Sequence, residues 1–379
     1  MAIKALQATA PNELELVDFP FPEVAEDAIL LKNLYCGICG TDLHGIEGKR
    51  SVKFPIIPGH ELVCTVAAIG PKALETTKVF GDSNQGNVTL NVDDLVTINP
   101  RIVCGTCYYC RQMPGRPEMC MGARTYNSSI RSDEPPYLFG GWAEYMYVLP
   151  HSEIIKLPED IDHEIASLVE PLACSVGLVD RHRQSHYWVD GDAFGVNRSV
   201  VVFGAGAIGL LAAACFHLNG ADRIIVVDVL PEKLELAQKF GAELTINAAT
   251  TSREERVKQV KDACDGLGPA IVVEACGVPE TIGEGVEMLR RGGQLYEMGH
   301  LVKTGPAQID PLLVCRNEIE IIGNYAYPSS NCMAYAAKIL AEGKLPYREL
   351  LKSYPLTDYE EVLFGKQRGK AAKSVFKID

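Results

Sequence analysis

Val200-Val201-Val202-Phe203 runs into Gly204-Ala205-Gly206-Ala207-Ile208-Gly209 and then into an apolar, helix-forming stretch, and no other segment restricts the fold so tightly. A buried-type strand, a G-x-G-x-x-G turn and a helix, in that order, build the phosphate end of a dinucleotide site. Gly204 permits the tight turn, Gly206 lets a pyrophosphate approach the backbone, and Gly209 lets helix and strand pack closely. Ile208 lies inside the motif and is counted with the cofactor residues, and the helix N-terminus adds N–H donors and partial positive charge. The next strand ends at Asp228, about 24 residues beyond Gly204 and near the ~20 expected of the acid that holds the adenosine ribose hydroxyls. A carboxylate there repels a 2′-phosphate, so NAD is expected over NADP. The plainer alternative is a packed turn and an aspartate that caps the next helix.

Around this turn, apolar strands alternate with helical stretches. Strands are expected over 199–203, 223–228, 270–274, 293–298 and 318–323, with helices over 208–218, 231–240 and 280–291. Alternation of this kind predicts a parallel sheet wrapped by helices. Upstream, to about residue 165, the pattern is short β-like runs at 28–33, 62–69, 95–98 and 142–148, punctuated by Gly, Pro and Asp. The tail adds a helix near 333–342 and a strand-like run at 374–378, and it is assigned back to the first domain. The expected division is therefore a β-rich domain over 1–170 and 323–379, and a nucleotide-binding domain over 171–322. Segments 75–92 and 181–197 look like insertions.

The 36 Lys+Arg are outnumbered by 49 Asp+Glu, for a formal net charge of -13, so the chain repels phosphate backbones and anionic lipid and no nucleic acid partner is expected. No apolar run is long enough to span a bilayer and the N-terminus carries no secretory signal, which predicts no membrane association and a cytoplasmic protein. In a reducing compartment, 13 cysteines with C-x-x-C spacing point to metal or redox chemistry before disulfides.

Cys104-x-x-Cys107-x-x-Cys110 followed by Cys120 matches a closed, all-thiolate zinc site of the structural type. Free thiols, disulfides and a zinc-ribbon nucleic-acid module are the competing readings, the last opposed by the acidic charge. Two further clusters, Cys39-Gly40-Thr41-Asp42-Leu43-His44 and Pro58-Gly59-His60-Glu61, place a thiol, an imidazole and a carboxylate within a short span, and Glu170-Pro171-Leu172-Ala173-Cys174 adds a third. Each alone is compatible with an ordinary loop or core residue. Together they supply the N, S and O ligands of a catalytic zinc.

In that order, the clusters Cys-Gly-Thr-Asp-x-His, Gly-His-Glu, Cys-x-x-Cys-x-x-Cys…Cys, Glu-Pro-Leu and Gly-x-Gly-x-x-Gly resemble the zinc-dependent alcohol dehydrogenases of the medium-chain dehydrogenase/reductase superfamily. The Glu-Pro-Leu element makes the chain most similar to the polyol (sorbitol-type) and threonine dehydrogenase branches. The resemblance implies an α/β protein with a GroES-like β-rich catalytic domain and a Rossmann doubly wound parallel sheet. It implies two zincs per chain: a catalytic one held by Cys39, His60 and Glu170, directly or through water, with Glu61 able to enter, and a structural one held by Cys104, Cys107, Cys110 and Cys120. Cys174 competes with Glu170 for the third position. Lys233 joins Asp228 at the ribose, and a homodimer or homotetramer is expected, with 319–322 as a strand that pairs across subunits. The chain departs from the family pattern in having Cys64 where a glycine is usual and nine residues between Cys110 and Cys120 where seven are usual.

The implied reaction is oxidation of a secondary alcohol, polyol or sugar-like, to a ketone with hydride transfer to NAD. Thr41 takes the proton and passes it through the nicotinamide ribose to His44, whose ordinary pKa of ~6.5 suits exchange with solvent. Asp42 orients a ligand, and Cys36 is read as a small buried hydrophobe. The alternatives are a threonine-type amino-alcohol dehydrogenase, an NADH-dependent ketone reductase, or a nucleotide-binding regulatory protein on the same scaffold. Loops at 126–138 and 324–327 are expected to carry substrate specificity without a decodable motif.

Overall fold

The computed structural model describes residues 2–81, 88–184, 198–325 and 329–378. Parts of both inserted segments, 82–87 and 185–197, and residues 326–328 of the tail loop lie outside the described residues. The chain forms two compact units, one made by the segment up to Ala173 together with the C-terminal segment, the other beginning at Cys174.

The first unit is organised by the strand Ile29–Gly37, whose apolar residues are buried on both faces. It pairs antiparallel with Glu61–Ile69, Tyr145–Val148 and Lys373–Lys377. From there the sheet continues through Leu95–Ile98 and Glu153–Lys156 to Lys78–Phe80 on one side, and through Lys373–Lys377 to Leu351–Pro355 on the other. The register sets Gly37 between Glu61 and Val375. Strand ends from three distant parts of the sequence therefore meet at one place. The core beneath holds Trp142, fully buried and edge-to-face on Phe376 with ring centroids 5.2 Å apart, an aromatic pair that adds about 1 kcal/mol to the burial term. An N-terminal hairpin, Ala2–Ala10 with Glu13–Pro20, turns at Asn12, whose φ of 62° suits an asparagine. Period-two patterning alone did not single it out.

The second unit is a six-stranded parallel sheet in the order Leu244–Asn247, Arg223–Asp228, Ser199–Phe203, Ile271–Glu274, Gln294–Glu297, Glu320–Gly323. The first strand in sequence, Ser199–Phe203, sits in the middle, so the direction of progression reverses beside it, the position at which open parallel sheets bind ligands. The helix expected over 280–291 spans Pro279–Met288, because Leu289 leaves helical backbone and Gly292 adopts φ 68°. Helices Val169–Gln184 and Arg253–Ala263 were not read from the pattern. The second starts on a reciprocal cap, with Ser252 Oγ accepting from Glu255 N–H at 3.2 Å and Glu255 Oε2 from Ser252 N–H at 2.7 Å. No helix among the described residues is long and apolar enough to cross a membrane.

Candidate active site

The three glycines of the turn meet three different steric demands. Gly204 has φ 96°, and a Cβ there would press on Ala275 O and Cys276 Cβ, both at 3.0 Å. Gly206 caps the helix Ala207–Leu218, and a Cβ there would meet open space, which leaves the backbone free for a ligand. A Cβ on Gly209 would fall on Gly204 O. Ile208 sits half-buried in the first helical turn. Asp228 ends its strand and spans the turn, Oδ2 accepting from Ala205 N–H at 2.7 Å and Oδ1 from Leu230 N–H at 3.0 Å. Lys233 is half-buried on the helix Pro231–Lys239 that follows.

In the first unit, one ligand atom each of Cys39, His60 and Glu61 lies within 4.8 Å of the others. Cys39 follows the central strand and caps the short helix Gly40–Ile46, and His60 immediately precedes the neighbouring strand that Glu61 opens. Gly37 makes this possible, because a Cβ there would fall on Glu61 Oε2. Gly59, at φ 90°, faces Trp142 and Cys36 with no room for a side chain. The buried Asp42 ties the pieces together. Its Oδ2 accepts from Cys39 N–H at 3.2 Å, and its Oδ1 accepts from Gly59 N–H at 3.2 Å and Asn127 Nδ2 at 2.8 Å and lies 3.2 Å from His60 Nδ1. Burial opposes ionisation of Asp42, but the His60 charge and these hydrogen bonds win, and its carboxyl is held below the usual range. His60 Nδ1 is taken up by Asp42 Oδ1 and by Asn127 Nδ2 at 2.8 Å, which leaves Nε2 as the ring nitrogen for a metal.

Glu61 is 1% exposed and Lys373 5%, and the two form a buried ion pair at Glu61 Oε1. Glu61 Oε2 is buried with no hydrogen-bond partner. An orphaned carboxylate oxygen beside a thiol and an imidazole fits a zinc ligand set of S, N and O. Glu170, 5% exposed in the first turn of Val169–Gln184, is not one of this group of three. Its charge is felt there: burial pushes the Glu170 carboxyl up to about 7, with His60 and Lys373 pulling it down and Glu61 and Asp42 pushing it up. Cys174 is buried in the same helix. Thr41 and His44 share the Gly40–Ile46 helix, both half-buried. Partial burial, with Lys49 and Arg368 nearby, outweighs Glu47 and lowers the His44 pKa below 6.5. Cys36 is fully buried in the core, and Cys64 donates to Asn33 Oδ1 at 3.1 Å. Lys373 and Asn127 carried no local sequence signal.

The sulfurs of Cys104, Cys107, Cys110 and Cys120 also lie within 4.8 Å of one another. Cys104 is 3.5 Å from Cys120 and 3.9 Å from Cys110, and Cys107 is 3.6 Å from Cys110. A tetrahedron with Zn–S bonds of ~2.3 Å has edges of about 3.8 Å, so these spacings fit the ion. The long Cys110–Cys120 interval is taken up by a loop whose 3-10 turn, Pro117–Met119, delivers Cys120. N–H groups of Thr106 and Cys107 pull the Cys104 thiol down to about 5, whereas burial and the adjoining thiols push Cys110 up to about 12. Four sulfurs this close together ionise together only with a cation between them.

Residues 25–159 match the family model described as alcohol dehydrogenase GroES-like domain, and residues 207–342 the model described as zinc-binding dehydrogenase. D-xylulose reductase A of Aspergillus oryzae is 29% identical over 373 residues, spanning 96% of this chain and 93% of the relative. D-arabinitol dehydrogenase 1 of Uromyces fabae is 27% identical over 361 residues, 95% and 92% of the two chains. The solved structure of an alcohol dehydrogenase from Thermotoga maritima superposes over the full length of both chains with a TM-score of 0.88 at 25% identity.

Proposed function

The chain belongs to the zinc-dependent alcohol dehydrogenase family of the medium-chain dehydrogenase/reductase superfamily, and on that premise we propose that it oxidises a secondary alcohol of the polyol or sugar-like class with NAD as hydride acceptor. The observation that carries the reading is the buried cluster of Cys39, His60 and Glu61 with Glu61 Oε2 unpartnered. The names of the xylulose and arabinitol relatives support the substrate class. Two zincs per chain are proposed, the catalytic one held by Cys39, His60 and Glu61, with Glu170, which feels the charges of His60 and Glu61, as a further ligand directly or through water, and the structural one by Cys104, Cys107, Cys110 and Cys120. Asp228 and Lys233 are assigned to the adenosine ribose, which favours NAD over NADP.

When bound, zinc supplies Lewis acidity toward the alcohol oxygen and NAD supplies the hydride acceptor. The protein's own groups set the conditions for both. Asp42 fixes the His60 tautomer and holds Cys39 and Gly59 by their N–H groups, so the ligand loops are rigid before substrate arrives. Lys373 neutralises Glu61 at Oε1 and keeps its carboxylate aimed at the cluster. Thr41 Oγ1 relays the proton, accepting the substrate's as it gives up its own hydroxyl proton toward His44 on the same helix, and His44 releases it to solvent. With its pKa lowered, His44 is neutral and ready to accept near pH 7.

A substrate panel followed by NADH absorbance tests the reading, with polyols, threonine and simple alcohols run in parallel. Turnover of polyols with NAD is expected. Indifference to polyols with brisk turnover of threonine would transfer the site to the amino-alcohol class. We also propose a dimer or tetramer, built on the edge strand Glu320–Gly323, which has a sheet partner on one side only among the described residues. Light scattering at a single-chain mass would remove that assignment.

A further inference from the structure

We propose that Glu274, Glu297 and His300 form a third cation site, separate from both zinc sites, that takes a divalent first-row transition ion at the C-terminal edge of the parallel sheet. Glu274 and Glu297 end neighbouring strands and are direct register partners in the ladder. Like charges set opposite one another are unfavourable unless something positive lies between them. Neither carboxylate pairs with a Lys or Arg among the described residues; His300 is the group that reaches both, its Nδ1 2.9 Å from Glu297 Oε1 and 3.4 Å from Glu274 Oε2. One ligand atom of each residue lies within 4.8 Å of the others.

The hydrogen bonding leaves a buried carboxylate oxygen of the cluster without a donor, while Glu297 Oε1 also accepts from Gly299 N–H and His300 N–H at 3.0 Å each. Glu274 is fully buried, and its Oε1 is saturated by Cys276 N–H at 3.0 Å, Gly277 N–H at 2.8 Å, Thr281 Oγ1 at 3.2 Å and the Cys276 thiol. Its Oε2 makes no hydrogen bond, and neither do the buried Glu297 Oε2 and His300 Nε2. Gly299 keeps the space open, because a Cβ there would fall on Glu274 Oε2. A hollow of about 230 Å³, lined in part by Glu297 and His300, opens alongside and offers an entry route. Metal–ligand bonds of ~2.1 Å put ligand atoms about 3.0 Å apart in octahedral and about 3.4 Å apart in tetrahedral geometry, close to the measured separations of 2.9 and 3.4 Å. One imidazole with two carboxylates suits Mn²⁺ or Fe²⁺ better than Mg²⁺ or Ca²⁺. Binding replaces the hydrogen bond between His300 Nδ1 and Glu297 Oε1, and it clamps the turn after one strand to the turn after the next.

The test uses the zinc-loaded protein, whose zinc content is measured before and after, titrated with MnCl₂ and followed by electron paramagnetic resonance. One saturable Mn²⁺ per chain is expected with zinc unchanged, together with nitrogen modulation from a single imidazole in the pulsed spectrum. His300→Ala and Glu297→Gln are each expected to weaken binding tenfold or more, while Glu232→Gln, an exposed acid on the same unit, leaves it unchanged. Absence of saturable Mn²⁺ in the unaltered protein, absence of nitrogen modulation, or binding indifferent to both ligand substitutions overturns the site. None of these readouts depends on the alcohol substrate, so failure here leaves the dehydrogenase reading standing, and the reverse.

Discussion

Lys373 and Glu61 stand 312 residues apart in the chain and form a buried ion pair that occupies one carboxylate oxygen and leaves the other facing Cys39 and His60. The C-terminal strand thus closes a site whose thiol, imidazole and orphaned carboxylate come from the first 61 residues. In the zinc-free protein, Lys373→Met leaves a buried carboxylate uncompensated, which costs about 3–5 kcal/mol. Chemical denaturation is expected to show that loss, and adding Glu61→Gln to recover most of it. An exposed, solvent-screened pair would show neither.

Asp42 gathers four donors or ring nitrogens from three loops. Asp42→Asn disturbs the His60 tautomer and the Cys39 loop together, with an expected loss of roughly 10–100-fold in kcat/KM or in affinity for the catalytic zinc. Steady-state kinetics with parallel metal analysis will measure it, and unchanged values for both would remove Asp42 from its positioning role.

The thiolate lobe should behave as an independent metal unit. Cys104 touches two of the other three sulfurs, so Cys104→Ser is expected to lower zinc from two to one per chain and to cost several kcal/mol, on the order of a sizeable fraction of a structural zinc's contribution. Zinc analysis that still finds two ions per chain would contradict the assignment.

Asp228 bridges Ala205 and Leu230 by their N–H groups, presenting a fixed carboxylate at the end of its strand. Asp228→Asn should reduce the NAD over NADP preference in kcat/KM by roughly 10–100-fold, the worth of charged hydrogen bonds to a ribose. An unaltered ratio would mean that the cofactor is chosen elsewhere.

His44 titrates below its ordinary value of 6.5 because partial burial and two nearby cations outweigh Glu47. The folded imidazole therefore binds its proton more weakly than the unfolded one. Its contribution to stability is complete above 6.5 and is lost as pH falls through the folded value. Alcohol oxidation should accordingly decline on the acid side with a pKa below 6.5, and His44→Asn should cost about tenfold in kcat near neutral pH and flatten that limb. A pH–rate profile identical in the variant would exclude His44 from proton delivery.

What could be read along the chain was whatever a few consecutive residues decide. The turn at Gly204, Gly206 and Gly209 is a matter of local backbone sterics, and the strand Ser199–Phe203 and the acid at Asp228 follow from spacing within one strand-turn-helix unit. Cys104, Cys107 and Cys110 are close in sequence and so close in space. The short helix and strand boundaries were less legible, as at Leu289, where a backbone turn ends a helix that the hydrophobic pattern would have carried further.

Tertiary structure decided which carboxylate faces the thiol and the imidazole. Glu61 and Glu170 were both candidates from their motifs; sheet register puts Glu61 across from Gly37, which has no side chain to obstruct it, and puts Glu61 rather than Glu170 in the compact group with Cys39 and His60. The same register brings in Lys373, and a loop fold brings in Asn127. The pairing of Glu274 with Glu297 and the return of His300 onto both likewise depend on a parallel ladder between strands joined through a helix. Residue type and spacing specify the chemistry a segment can offer; convergence of side chains from distant segments is set by strand order and register, which only the packed sheet defines.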